Sequence, residues 1–303
     1  MRVAVTGSSG LIGSALVPHL RSVGHEVMRL VRKPATEPDE IRWDPTNRTV
    51  DLDALRGIDA VVHLAGAGVG DHRWTESYKR EILRSRVDGT STIARAMAAL
   101  EPRPRVLVSA SAVGWYGDTG DHVVDESATA GRGFLADVVR AWEGAAEPAR
   151  PAGIRVVHPR SGLVVSSRGG AWARMFPLFR VGLGGRLGTG RQYWSFISLR
   201  DEVCALRFLV EQDHIHGPVN LTAPSPATNN EVTKAMGRAM GRPTVLPVPS
   251  FALKVALGEF SSEVLGSARV VPRVLEAAGF VFQDPTIDSA IRTALDRADS
   301  DVG

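Results

Sequence analysis

The chain has 303 residues, of which 44% are hydrophobic and 23% charged, as is usual for a globular protein of one or two domains. Its net charge of +3 is spread along the chain without a basic block interleaved with aromatic residues, so we expect no nucleic-acid partner. No apolar run approaches the length of a membrane span, and the single cysteine, Cys204, excludes an internal disulfide. Because Met1-Arg2-Val3 leads directly into a predicted strand, we expect no targeting peptide, no membrane association and a cytoplasmic location.

The first predicted strand, at Val3-Ala4-Val5, runs into a glycine-spaced turn that is followed by a helical pattern. The first glycine of such a turn allows a tight bend, the second lets a diphosphate approach the backbone, and the third lets the helix pack closely on the strand. Free N–H groups at the helix start favour phosphate binding. A glycine-rich turn can be only a turn, but its position between a strand and a helix favours dinucleotide binding. The predicted diphosphate-binding residues are Gly7, Ser9, Gly10, Leu11, Ile12 and Gly13.

The second predicted strand, at 25–31, completes a βαβ unit, so a parallel sheet should follow. The residues at the end of this strand distinguish NAD from NADP, because an NAD site usually has an acidic side chain there to bind the ribose 2′-hydroxyl. Here the position holds Arg32 and Lys33, whose charge suits a 2′-phosphate. We therefore predict NADP(H) as the cofactor. The alternative is that the two residues are solvated surface cations.

Two more predicted strands, at 59–66 and 105–109, should end at the same sheet edge and line the cofactor crevice. We expect Leu64, Ala65, Gly66 and Ser109 near the cofactor. His63 lies inside an apolar strand, where a histidine is more often a hydrogen-bonded core residue than a base. Small hydroxyl residues and a tyrosine follow the second of these strands. Ser111 and Tyr116 are therefore the predicted acid/base candidates.

The predicted fold is α/β, with a Rossmann-type doubly wound parallel sheet and a smaller C-terminal substrate domain. The cofactor domain should cover 1–165, with 196–222 returning to it, and the substrate domain should comprise 166–195 and 223–303. Residues 182–195 are rich in glycine and aromatic residues and form either a binding loop or a long connector. His214 and His216 lack partners at metal-ligand spacing, so we predict no metal site.

In the C-terminal part, Thr228 and Glu231 form a predicted capping box that opens a helix, and Gly241 ends that helix. Residues 245–248 predict a strand between prolines. Two further helices are predicted near 251–257 and 287–295.

Specific short motifs lie along nearly the whole chain. They are Thr6-Gly7-x-x-Gly10-x-x-Gly13, His63-Leu64-Ala65-Gly66, Trp142-Glu143, Arg160-Ser161-Gly162, Phe196-Ile197-Ser198-Leu199-Arg200-Asp201 and Ala278-Gly279-Phe280-x-Phe282. This set resembles that of the atypical, extended short-chain dehydrogenases/reductases. The specific similarity is to the nucleotide-sugar-epimerase-like branch with an extra C-terminal domain.

The resemblance implies catalysis by a tyrosine and a lysine four residues later, which this chain lacks. Its three tyrosines, Tyr78, Tyr116 and Tyr193, are followed at that spacing by Ile82, Gly120 and Ile197. If Glu143 marks the usual downstream acid, Leu135 and Val139 occupy the positions of the pair. The resemblance also places Arg86 and Glu81 near the cofactor, although a charged pair at that spacing can also be an ordinary surface ion pair. Arg160 follows a strand end on the same sheet edge and is a further candidate cofactor residue.

Two functional hypotheses follow. The first is an NADP(H)-binding oxidoreductase or nucleotide-sugar epimerase-like enzyme with a non-standard acid/base. Its substrate would be a small molecule, such as a nucleotide sugar or another anionic compound, and it would act as a monomer or homodimer. The second is a catalytically inactive NADP(H)-binding sensor or regulatory scaffold, which the missing tyrosine–lysine pair favours.

Overall fold

The computed structural model describes residues 1–296. The strands of this part of the chain are β1 (Arg2–Thr6), β2 (Glu26–Val31), β3 (Glu40–Asp44), β4 (Thr49–Val50), β5 (Ala60–His63), β6 (Val106–Ser109), β7 (Ser111–Ala112), β8 (Val123–Val124), β9 (Arg155–Ser161), β10 (Leu163–Val165), β11 (Tyr193–Trp194), β12 (Phe196–Ser198), β13 (Gly217–Leu221), β14 (Ala227–Thr228) and β15 (Arg269–Val270).

The α-helices of the same residues are α1 (Leu11–Ser22), α2 (Glu76–Ala99), α3 (Phe134–Gly144), α4 (Gly170–Arg180), α5 (Leu199–Glu211), α6 (Asn229–Met240), α7 (Ser250–Leu257), α8 (Ser261–Leu265), α9 (Arg273–Ala277) and α10 (Ile287–Leu295). Short 3₁₀ turns lie at Val113–Tyr116, Glu147–Ala149 and Gly258–Phe260.

The central sheet has the strand order β13-β9-β6-β5-β1-β2-β3-β4, with β7 pairing beside β9. The pairs in this sheet are parallel except β3 with β4, which are antiparallel. The predicted α/β fold with a doubly wound parallel sheet is therefore confirmed. The chain leaves β1 towards β2 on one side and later returns to β5 on the other. Such a reversal opens a crevice beyond the carboxyl ends of the strands, at β1.

Helices cover both faces of the sheet, and each face has its own apolar core. Leu16 and Leu20 of α1 pack with Val203 and Leu206 of α5 on one face. On the other face, α2 contributes Ile93, Ala94 and Met97 to a second core. Because both faces are covered, the strands are apolar almost throughout, and ligand-binding groups are confined to the strand ends.

The C-terminal part packs around a third core, in which α4, α6 and α10 meet beside the short β10–β12 pair. Trp172 and Phe176 of α4, Met236 of α6 and Ile291 of α10 are its large buried side chains. The capping box of Thr228 and Glu231 is present at the start of α6, as predicted. Helix α10 has the predicted bounds.

The predicted strand at 245–248 is wrong. Only an isolated bridge between Leu187 and Val248 forms there. The neighbouring Pro247 and Pro249 have no N–H to donate, so the pairing cannot extend beyond one residue. No element was predicted from the sequence at β3, β4 or α4.

Candidate functional site

The glycine turn between β1 and α1 fits tightly against the neighbouring strand end. Gly7 has a φ of +67°, and a Cβ built on it would lie 2.9 Å from the backbone carbon of Leu64. A Cβ on Gly13 would lie 2.2 Å from the carbonyl oxygen of Gly7. Gly10 is different, because it is exposed and a Cβ there would meet only that same carbonyl oxygen, at 3.3 Å. The first and third glycines therefore permit the backbone arrangement, whereas the second leaves the approach to the turn open.

A buried hydrogen-bond cluster fixes the floor of the crevice. The hydroxyl of Thr6 accepts from the backbone N–H groups of Leu64 (3.0 Å) and Ala65 (3.2 Å). It also bonds to Nδ1 of His63 at 2.8 Å. Burial lowers the pKa of His63 to about 4, so this ring is neutral near pH 7. His63 is thus a hydrogen-bonded core residue, as its position in an apolar strand predicts, and it helps to join the ends of β1 and β5.

The crevice at this edge has a volume of about 1600 Å³. It brings together nine of the residues predicted to bind the cofactor: Gly7, Ser9, Gly10, Arg32, Lys33, Leu64, Ala65, Gly66 and Glu81. Its basic lining residues outnumber its acidic ones, six (Arg29, Arg32, Lys33, Arg48, Arg80 and Arg84) against four (Glu40, Asp71, Glu81 and Asp88). The open approach at Gly10 and the excess of cationic groups fit the phosphates of a dinucleotide.

The two cations at the end of β2 differ in their partners. The ammonium of Lys33 lies 3.2 Å from a carboxylate oxygen of Glu40, whose side chain is 1% exposed. The backbone N–H of Thr36 donates to the other oxygen at 3.0 Å and is the main reason that the pKa of Glu40 is lowered. Arg32 is exposed, lines the crevice and has no ion-pair partner among residues 1–296. Arg32 is therefore the cation available to a ligand.

Arg86 lies behind the crevice wall rather than in its lining. One of its Nη atoms donates to the carbonyl groups of Ala67 (2.9 Å) and Ile82 (3.1 Å), and its guanidinium lies 4.9 Å from the centre of a Trp142 ring. Burial lowers its pKa to about 10, so it remains charged at neutral pH. The ion pair between Glu81 and Arg86 that their spacing allows is not formed in the described chain. Arg86 instead supports the backbone that follows Gly66.

The predicted acid/base candidates belong to a buried polar network beyond the ends of β7 and β9. Ser111 donates to a carboxylate oxygen of Glu143 at 2.6 Å. Arg160 makes two bonds to the same carboxylate, at 2.8 and 3.0 Å, and a third to the Tyr116 hydroxyl at 3.1 Å. Tyr116 donates in turn to the Asn220 side chain at 2.7 Å. We name these five residues the strand-end network.

The strand-end network is buried except at Glu143, whose side chain is 11% exposed. Ser111, Tyr116, Arg160 and Asn220 are each at most 4% exposed, and none of them lines the crevice. Burial is the largest influence on Tyr116 and raises its pKa, so the phenol stays protonated at neutral pH. The remaining predicted cofactor residues also lie outside the crevice lining: Leu11, Ile12, Gly13, Arg86, Ser109 and Arg160.

The positions of the missing tyrosine–lysine pair are apolar in three dimensions as well as in sequence. A Cβ on Gly114 would lie 3.3 Å from Cβ of Leu135 and 3.8 Å from Cγ2 of Val139. Leu135 also packs against a cluster that contains Trp74, Tyr78 and Ile82. Thus α3 presents aliphatic groups to the segment after β7, and no proton-transfer group replaces the pair at these two positions.

The C-terminal part reaches across to the crevice. A Cβ on Gly169, just before α4, would lie 3.3 Å from the Leu11 side chain. Arg174 of α4 donates to the carbonyl oxygen of Gly70 at 2.7 Å, on the loop that follows the crevice floor. Asp71, His72 and Tyr78 line the crevice on that side. The sequence analysis did not select these residues, because loop contacts between distant segments leave no periodic signal.

A model of the NAD dependent epimerase/dehydratase family matches residues 3–221, which is more than half of the chain. The chain belongs to this family. A second model, for a domain of unknown function (DUF1731), matches residues 248–294. These matches confirm the resemblance to epimerase-like proteins with an extra C-terminal domain.

Relatives of the family align along almost the full chain. An epimerase family protein of Mycobacterium bovis is 48% identical, covering 97% of this chain and 98% of its own length. The crystal structure of the human epimerase family protein SDR39U1 with NADPH is 33% identical, with a TM-score of 0.89, and covers 97% of this chain and 99% of that one. A nucleoside-diphosphate sugar epimerase structure from Corynebacterium glutamicum is 36% identical, with a TM-score of 0.81, covering 97% of this chain and 58% of that one.

Residues 1–296 contain neither a membrane-spanning helix nor a cluster of metal ligands. No helix there is both long and apolar enough to cross a lipid bilayer. No cluster of three or more histidine, cysteine, aspartate or glutamate side chains is placed to hold a metal ion.

Proposed function

We propose that the crevice binds NADP(H) and that the chain is an NADP(H)-dependent oxidoreductase or epimerase-type enzyme acting on a small molecule. The observation that carries the proposal is the combination of the glycine turn with Arg32. The turn leaves room for a diphosphate at Gly10, and Arg32 offers an unpaired guanidinium where a 2′-phosphate would lie. The NADPH in the human SDR39U1 structure supports this choice of cofactor.

When bound, the cofactor would supply hydride transfer at its nicotinamide. The chain's own contribution is to hold and orient it. The N–H groups at the start of α1 would hold the diphosphate, and Leu64, Ala65 and Gly66 would form the floor beneath the cofactor. Arg86 keeps the backbone after Gly66 in position. Related structures contain UDP-glucuronic acid or UDP-glucose with NAD, which favours a nucleotide sugar as the substrate class.

Ser111 and Tyr116 remain the proposed acid/base groups. They carry hydroxyls at the strand end and are held by the same ion pair, because Ser111 donates to Glu143 and Arg160 donates to Tyr116. Arg160 stays protonated, so the pair orients the two hydroxyls and does not pass a proton between them. Tyr116 with its raised pKa can donate a proton but is a poor base. In the conformation described here, a substrate reaches neither group unless the segment after β7 opens.

The second candidate function is an NADP(H) sensor without hydride chemistry. The burial of the strand-end network and the apolar contacts of Leu135 and Val139 favour it.

The deciding experiment is calorimetric titration with NADPH and with NADH, followed by turnover assays on nucleotide sugars, aldehydes and ketones. We expect tight NADPH binding and weak NADH binding. If neither NADPH nor NADH binds, the proposal is overturned. A substrate-dependent change in NADPH absorbance that is lost in Ser111→Ala and Tyr116→Phe supports the enzyme, and saturating NADPH binding without turnover supports the sensor.

A further inference from the structure

Large apolar side chains are exposed together on one part of the molecular surface. Residues 1–296 contain eleven exposed large hydrophobic side chains, and six of them lie in two short segments, 181–183 and 245–255. Each of the six is at least 57% exposed. Scattered exposed apolar residues are normal in a folded protein, whereas a contiguous group marks an interaction surface. We name this group the apolar patch: Val181, Leu183, Val245, Leu246, Phe251 and Val255.

Backbone contacts join the two segments of the apolar patch into one surface. The N–H of Val248 donates to the carbonyl oxygen of Arg186 at 2.8 Å. The segments are so close that a Cβ built on Gly185 would lie 1.6 Å from the carbonyl oxygen of Leu246. Helix α7 begins two residues after Val248, and its two patch residues are four positions apart, so they share one side of the helix.

The two segments that carry the apolar patch are basic. The stretch 166–195 contains five arginines, and the stretch 232–258 contains two arginines and two lysines, but neither contains an aspartate or a glutamate. Two of these nine cations pair with carboxylates of other segments. Arg180 and Lys254, each adjacent in the chain to a patch residue, are exposed and have no ion-pair partner among residues 1–296. Exposed apolar groups and unpaired cations therefore occur together.

These features favour one kind of partner. A symmetrical contact with a second copy of the chain would bring cations against cations, which is unfavourable. A helical peptide usually binds in a groove, whereas the patch side chains project from the surface with exposures of 57–79%. An anionic bilayer offers negative charge at its surface and an apolar interior just beneath it, so it complements both the cations and the projecting side chains.

We propose that the apolar patch binds peripherally to an anionic lipid bilayer. Phe251, Val255 and the neighbouring loop residues insert between the lipid headgroups, while Arg180 and Lys254 keep their charges at the level of the phosphates. This proposal departs from the expectation of no membrane association, which rested on the absence of a long apolar run in the sequence. A peripheral surface needs no such run, and the proposal does not depend on the ligand of the crevice.

The test is sedimentation of the full chain with vesicles of phosphatidylcholine mixed equally with phosphatidylglycerol, and with vesicles of phosphatidylcholine alone. We expect binding to the mixed vesicles that weakens as salt is added, and at least about tenfold weaker binding to the neutral ones. Phe251→Ser and the double variant Arg180→Ala/Lys254→Ala should each weaken binding about tenfold or more. The matched controls Val281→Ser and Arg95→Ala, exposed residues outside the patch segments, should bind like the wild type.

A second measurement reports insertion directly. Phospholipid with brominated acyl chains should quench the fluorescence of Phe251→Trp more strongly than that of the wild type. All the substituted side chains are exposed, so each variant should unfold near the wild-type temperature.

Several outcomes overturn the proposal. They are failure to bind the mixed vesicles, equal binding to neutral vesicles, and wild-type binding by the Phe251→Ser variant. Failure to bind either kind of vesicle would leave an acidic protein as the partner of the patch. Self-association of the wild type that Phe251→Ser abolishes, measured by analytical ultracentrifugation, would assign the patch to a second copy of the chain.

Discussion

The crevice and the strand-end network lie at the same edge of the same sheet, yet their arginines differ in exposure and in hydrogen-bonding partners. In the crevice, Arg32 is exposed and unpaired, and Gly10 leaves the backbone bare. In the strand-end network, Arg160 is 2% exposed and bound to a carboxylate, a phenol and the face of an indole.

The difference shows which half of the edge is prepared for a ligand. Unpaired cations in an open cleft are stabilised by an anion from outside, whereas the buried arginine already has its partners. Family membership alone would lead one to expect chemistry at both. Four predictions test this contrast.

The largest expected effect concerns the buried ion pair. Arg160→Met leaves the Glu143 carboxylate without its cation, and such a loss typically costs about 3–5 kcal/mol of the free energy of unfolding. Chemical denaturation measures this. Arg140→Ala, which removes an exposed arginine paired with Asp137, is the matched control and should cost at most about 1 kcal/mol. Equal costs for the two variants would contradict the contrast.

The next effect separates two glycines of the turn. Gly10→Ala places a methyl group in the open approach, so we expect NADPH binding to weaken about tenfold or more while stability stays near wild type. Gly13→Ala forces a methyl group against the Gly7 carbonyl and should also destabilise the fold by about 1–3 kcal/mol. Calorimetry and thermal unfolding distinguish the two. A stable Gly13→Ala variant with normal binding would show that the helix start can shift.

Cofactor discrimination should depend on Arg32 more than on Lys33. Arg32→Asp should weaken NADPH binding about tenfold to a hundredfold and leave NADH binding little changed, because only NADPH carries the 2′-phosphate. Lys33→Ala should have a smaller effect, since its ammonium is already paired with Glu40. Fluorescence titrations with both cofactors measure the ratio. An unchanged preference in Arg32→Asp would remove this residue from the site.

The smallest effect concerns pH. Glu202 is fully buried, accepts a bond from Ser161 at 2.6 Å, and has its pKa raised by burial to about 8. An unfolded glutamate titrates near 4.3, so the folded state holds the proton more tightly, and stability should fall as the pH rises from about 4.5 to 8. Glu202→Gln should therefore raise Tm by about 2–4 °C already at pH 5, where about 1 kcal/mol of this stability is lost, and leave it near wild type at pH 4. If the Tm values of the wild type and of Glu202→Gln differ by the same amount at every pH in this range, the Glu202 carboxyl is already ionised in the folded protein.

Local patterns allowed much of the fold to be predicted from the sequence. The β1–turn–α1 unit is contiguous, and its glycines act on neighbouring backbone. The capping box of Thr228 and Glu231 spans a single helical turn. Such features depend on nearby residues, so their patterns are visible in the chain. The strand predicted at 245–248 is wrong because the prediction gave more weight to the apolar residues of this segment than to its prolines. The prolines have no N–H to donate to a neighbouring strand.

The site was predictable only in part, since its decisive contacts join distant segments. No spacing rule links Arg160 to Tyr116. None pairs Lys33 with Glu40, the contact that leaves Arg32 as the available one of these two strand-end cations. Sequence patterns identified residue types at strand ends. They could not show which of those residues would form hydrogen bonds or ion pairs with neighbouring side chains.

The two edges of the central sheet limit how copies of the chain can associate. One edge ends in β4, which has only two residues. At the other, the backbone N–H of Asn220 in β13 is occupied by the Glu126 carboxylate at 2.9 Å, and α9 packs against the strand. Neither edge offers a ladder of free donors and acceptors to an approaching strand. Association through these two edges of the central sheet is therefore disfavoured, which lowers the tendency of the sheet to stack edge to edge.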